Sequence, residues 1–225
     1  MLEVHPPHKP IHGTGEFFLH LFTITIGLLI AVGIEAGVER WHHHELAESA
    51  RASMNAEIRR NATKVNDAVA NIEKEQDVMR RNSDAIAVVQ SDPKGKHDLN
   101  LEATYNITGL DKTAWLTAGA TSALSYMPYE DAKKLSGIYK DMDVFERRQE
   151  TIAVDSSRFF GLIGRYQIGK RDVSQEAADS LAEICGVWQG DLVQLHIAAK
   201  VLQEEQNAYL QGREPFQNLS EKYGK

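Results

Sequence analysis

One cysteine, Cys185, stands in a chain of 225 residues, which excludes an internal disulfide framework and any zinc site built on several thiolates. Prolines number only six and gather in the tails and at breaks, leaving long stretches free for helix. Lys and Arg (25) fall short of Asp and Glu (32), and a net charge of −7 is a poor match for a polyanion, so nucleic acid is not an expected partner. Also missing are a Gly-rich phosphate loop, a paired-cysteine motif and a Gly-x-Ser-x-Gly elbow. No segment reads as a strand by alternation, and no two halves repeat one another. Yet 42% of the residues are apolar and 25% charged, a globular balance. The fold class expected is all-α.

What the chain does have is one long apolar run. Residues 17–38, FFLHLFTITIGLLIAVGIEAGV, carry only His20 and Glu35 as ionisable groups. As a helix these 22 residues extend roughly 33 Å, enough for a hydrocarbon core of about 30 Å. Arg40 and Trp41 follow at once, the cation-and-aromatic pair favoured at a membrane–water boundary. A cleavable signal peptide is the rival, with Ala31-Val32-Gly33 as its small-x-small site. The leading residues 1–16 speak against it, having one Lys, three His and acidic Glu16 directly before the apolar run. A retained single-pass transmembrane helix behind a flexible head is the expectation. Lys9 on one side and Arg40 and Arg51 on the other do not set an orientation. The acidic balance of the remainder favours the cytoplasm for the head and the far, periplasmic side for the domain.

Residues 38–92 contain neither Gly nor Pro, so the helix is expected to continue into water as a long helix over 39–92. Ile58, Val65, Ile72, Met79 and Ile86 recur every seven residues, with Ala62, Val69, Gln76 and Ser83 between them. That stripe fits a coiled coil and a helix of the chain's own bundle equally well. Residues 93–110 read as a polar linker. Asp111 is an N-cap candidate, flanked by Leu110 and Trp115 as a hydrophobic staple, for a helix over 112–127. Pro128, Glu130 and Asp131 mark a third start, and a fourth follows Asp172 or Ser174 with the stripe Leu181, Ile184, Trp188, Leu192, Leu195, Ala199, Leu202, Tyr209. Residues 111–212 thus complete an antiparallel helical bundle, and 213–225 form a tail.

Two stretches, EFFLHLFTITIGLLIAVGIEAGVERWHHH at 16–44 and TAWLTAGATSALSYMPYEDAKKLSGIY at 113–139, carry a resemblance. They resemble an uncharacterised family of bacterial, acidobacterial-type, single-pass membrane proteins with a helical domain. The resemblance implies an anchor in the bacterial inner membrane and brings over no catalytic residues.

Candidates for chemistry are few. Adjacent His42, His43 and His44 point about 100° apart on a helix and cannot all reach one ion. Glu39-x-x-His42 is a single copy of a motif that di-iron bundles use twice, and His44-x-x-x-Glu48 misses the second His of a zinc protease. Headgroup contact is their expected role. His5, His8 and His12 belong to the head, His20 to the membrane interface, and Cys185 to the core as an inert thiol. No catalytic residue, metal or cofactor is expected, and the chain is not read as an enzyme. Gly33 and Gly37 make a small-xxx-small notch that lets two transmembrane helices approach closely, while Glu35 points nearly opposite, free to snorkel. The reading is a membrane-anchored scaffold or interaction protein that self-associates or docks a membrane partner. The alternatives are a sensory or ligand-binding bundle working with a separate protein, for which Gln76, Ser83 and Gln206 are the polar hints, and a metal- or haem-binding membrane protein.

Overall fold

The computed structural model describes residues 13–92 and 94–216. It is all-helical among those residues: α1 (Thr14–Ser91), α2 (Thr113–Ala120), a 3-10 turn (Ala123–Tyr126), α3 (Tyr129–Tyr166) and α4 (Gln175–Leu210). The head histidines His5, His8 and His12 lie outside the described residues. Without an internal breaker after Gly37, α1 runs for 78 residues, about 117 Å at 1.5 Å per residue. Residues 14–42 are exposed on every side, and the first buried residue is Ala47.

From there on the heptad stripe is the core. Ile58, Val65, Ile72, Met79 and Ile86 are each no more than 4% exposed, packed within the chain's own bundle. Helix α4 lies between α1 and α3 and packs along both. Its stripe Leu181, Ile184, Trp188, Leu192, Leu195, Ala199, Leu202 is buried, with Phe159 of α3 edge-on to Trp188 at 5.5 Å. Ser174 caps α4, its hydroxyl accepting from the Ala177 N–H at 3.2 Å.

Three local expectations are corrected. Asp111 caps nothing: its carboxylate pairs with Lys64 at 3.0 Å and α2 begins two residues later, after Lys112, without a side-chain cap. The helix expected over 112–127 stops at Ala120. There the Thr121 hydroxyl turns back onto the Thr117 carbonyl, Ser122 adopts φ 61°, and a 3-10 turn pinned by buried Ala123 and Met127 follows. Pro128 is the N-cap of α3 rather than its first residue.

The linker is an extended strap laid against α1 and α3 on the far side of the apolar stripe from α4. Apolar and polar residues alternate from Leu99 to Thr108, and at first the apolar ones point inward: Leu99 is buried, Leu101 and Ala103 half-buried. The strap makes no β-ladder. Side chains replace the neighbouring strand. Buried Asn82 donates to the Glu102 carbonyl (2.6 Å) and accepts from the same residue's N–H (3.2 Å). Buried Asn61 does the same for Asp111 (2.7 and 3.0 Å), and buried Gln149 of α3 for Thr108 (3.1 and 2.6 Å). Buried Glu75 accepts from the Asn106 N–H at 2.8 Å, and buried Glu57 from the Ala114 N–H at 2.9 Å and the Tyr139 hydroxyl at 2.7 Å. The lengths match: 21 helical residues from Asn61 to Asn82 rise about 31 Å, and nine extended residues from Glu102 to Asp111 reach about 30 Å. Every buried amide so engaged satisfies a backbone donor and acceptor that water would otherwise have to meet.

Candidate membrane-proximal site

Within residues 17–38 no side chain touches another helix of the bundle, and the large apolar ones, from Phe17 to Val38, lie open. This is the one helix among the described residues long and apolar enough to cross a membrane. Its polar groups are self-contained: the Thr23 and Thr25 hydroxyls donate to the Leu19 and Leu21 carbonyls at 2.9 and 2.8 Å. Gly33 and Gly37 lie one turn apart on a common face, and a Cβ added at either would meet nothing within 4 Å. The notch is therefore open, with exposed Ile26 and Ile30 extending its face. Exposed Glu35 lies two positions from each glycine, on the opposing side.

Beyond the apolar run α1 enters a short collar before the bundle begins. His42 and His44 face solvent. His43 is half-buried, because the bundle's 3-10 turn lays Tyr126 flat upon it, with ring centroids 3.8 Å apart and planes 11° from parallel. Glu39 lies 4.0 Å from its Nε2. Two turns on, Arg51 bridges to Asp131 at the start of α3 (2.7 Å) and to Glu48 (3.6 Å). The three histidines thus fan apart, and among the described residues no group of three His, Cys, Asp or Glu is placed to share a metal ion.

Further along, an open groove of about 380 Å³ separates α1 from α2, lined by apolar Leu46, Ala50, Ala114 and Ala118 and by Ser49, Ser53, Arg60, Thr113, Thr117 and Thr121. The carboxylate of Glu57 at its floor is already engaged by Ala114 and Tyr139. Of the three polar hints, Ser83 is half-buried and accepts from Gln189 of α4 at 3.1 Å, Gln76 is half-buried, and Gln206 is fully buried with neither amide atom partnered among the described residues. Cys185 is fully buried, and loss of water pushes its thiol up to about 11, away from thiolate chemistry. Burial outweighs the Asn106 hydrogen bonds at Glu75 and pushes its carboxyl up to about 7. Burial and the neighbouring Asp191 carboxylate across the α3–α4 interface likewise raise Asp155 to about 6.

Sequence reasoning located the span and the buried thiol, but missed the strap clamps and Tyr126. A signal for the clamps was there: Asn61, Glu75 and Asn82 share the seven-residue spacing of the apolar stripe, three positions after Ile58, Ile72 and Met79. Nothing local to Tyr126 announces its stacking on a residue 83 positions earlier. No family model matches the chain, and neither a curated protein nor a solved structure matches it.

Proposed function

We propose that this chain is a membrane-anchored helical scaffold that self-associates through its span and presents a stiff bundle at the membrane surface. The observation carrying this reading is the unbroken α1, whose exposed apolar half passes without a hinge into a half clamped on two sides by α4 and the strap. Lipid provides no hydrophobic drive between helices, so the open Gly33–Gly37 notch is where two copies would gain close packing. In this reading the anchor is in a bacterial inner membrane, as the resemblance of residues 16–44 implies. The bundle is then on the periplasmic side, in keeping with its acidic balance.

The test compares the parent with Gly33→Ile/Gly37→Ile and with Glu35→Gln by crosslinking and light scattering in mild detergent. The glycine pair should lower the copy number and the Glu35 variant should leave it unchanged. Loss of assembly in the Glu35 variant alone would transfer the contact to the carboxylate. Retention in membranes through alkaline washing is expected of the parent, and recovery of a soluble form starting near Ile34 would replace the anchor with a signal peptide.

A second reading, a ligand-binding bundle acting with a separate partner, is favoured by one feature, the buried amide of Gln206 with no partner. Polar metabolites that raise the melting temperature of the parent but not of Gln206→Met would establish it.

A further inference from the structure

The span is not the chain's only element at membrane height. Because α1 is continuous, distance along it measures distance from the hydrocarbon: His43 lies five residues past Val38, about 7.5 Å along the axis. The headgroup layers extend roughly 5–7 Å beyond the hydrocarbon on each side. The Tyr126 ring stacked on His43 therefore lies at the outer edge of the headgroup layer, although it belongs to the bundle and is separated from the span by 87 residues of sequence. Tyr126 remains 43% exposed, and its neighbours Thr121, Ser122 and Ser125 are exposed hydroxyl residues.

The position of the turn around α1 matters as well. His43 and Trp41 are two residues apart, about 200° around the helix, so Tyr126 and the 65%-exposed Trp41 flank α1 on opposing sides. Together they make a belt of amphipathic rings of the kind that partitions into the interface. The bundle's mass hangs on the Tyr126 side. A span tilted by about 20° toward it lowers a point 10 Å off the axis by about 3 Å, deeper into the headgroups.

Charge names the lipid class. At this level Glu39 is matched by Arg40, Glu45 follows just outside it, Glu48 further out is paired with Arg51, and the turn itself carries no charged residue. Attraction to anionic lipid, which needs a cluster of cations, is not built in. We infer that the turn around Ser122–Tyr126 is a second membrane contact, with Tyr126 seated among zwitterionic headgroups and locking the angle between bundle and bilayer. This rests on the anchored reading of residues 17–38.

The buried Cys185 allows selective labelling of introduced cysteines in the full chain. Nitroxides at Leu28→Cys, Ser125→Cys and Val88→Cys would be compared in phosphatidylcholine nanodiscs, using oxygen and a water-soluble nickel chelate as collision probes. Val88 is exposed near the far end of α1, about 75 Å beyond Val38. The Leu28 label should see oxygen, the Val88 label nickel, and the Ser125 label several-fold less nickel than Val88. Adding Tyr126→Ser should restore nickel access at position 125. A Ser125 label as open to nickel as the Val88 label, with Leu28 still in hydrocarbon, would overturn the second contact while leaving the anchor standing. A Leu28 label open to nickel would overturn both. Shielding at position 125 accompanied by spin–spin broadening that disappears on dilution with unlabelled chain would assign the turn to a second copy and overturn the lipid assignment.

Discussion

The two halves of α1 share one backbone helix and almost nothing else. Residues 17–38 turn apolar side chains outward all round, whereas residues 54–89 bury one face and line its edge with Glu57, Asn61, Glu75 and Asn82. Each half suits a different surrounding medium. A helix in hydrocarbon satisfies its own backbone, and its few hydroxyls bond back to the preceding turn. A helix in a water-facing bundle can bury polar groups, provided partners are placed against them. Here the partner is the strap, whose extended backbone has no helix or ladder of its own to satisfy it.

The largest way to break the contrast is to interrupt the aqueous half. Val69→Pro removes a helix hydrogen bond and clashes one turn back, so the bundle should lose about 3 kcal/mol or more, whereas exposed Lys74→Ala should change almost nothing. Equal thermal midpoints for the two would refute an ordered helix there. Next comes the clamp: Asn82→Leu leaves the Glu102 N–H and C=O without their partner and should cost about 2–4 kcal/mol in denaturant titrations. A loss no greater than that of an exposed substitution would mean that the strap is not held by its backbone.

Gln206→Met should act in the opposite sense. Removing a buried amide with neither atom partnered is expected to stabilise by about 1–2 kcal/mol, and a loss of stability would reveal a partner for it.

A smaller effect is tied to pH. The native Glu75 carboxyl holds its proton up to about 7, while an unfolded one releases it near 4.5. Stability should therefore fall as pH rises from 4.5 to 7 and level off above, with Asp155 adding to the fall between 3.8 and about 6. Glu75→Gln keeps an acceptor for the Asn106 N–H and should flatten the fall, most visibly between 6 and 7; an unchanged profile would show that Glu75 does not titrate there. Smallest of all, Gly33→Ile/Gly37→Ile should not move the bundle's melting temperature, because neither glycine touches it. A shift would mean that span and bundle are energetically one unit.

Much of this could be read before any coordinate. The apolar length of residues 17–38, the absence of breakers through Asp92, the seven-residue stripe and a fourth helix start at Asp172 or Ser174 are local signals, each tied to a helix's own geometry. Asp111 misled because its side chain suits a helix start, yet Asn61 and Lys64, some 50 residues earlier, hold it in the strap instead. The alternation from Leu99 to Thr108 was legible but short and polar, and nothing nearby in sequence could show that amide side chains would stand in for a neighbouring strand.

By itself the sequence determined which segments are helical, which one is matched to a membrane, and which faces avoid water, because periodicity and hydrophobic length act along the chain. Only the tertiary structure decided that the linker is a clamped strap, that Tyr126 returns to the collar of α1, and that Gln206 finds no partner among the described residues. Those outcomes depend on which groups meet across tens of residues, and a buried hydrogen bond exists only where two such groups are brought within about 3 Å.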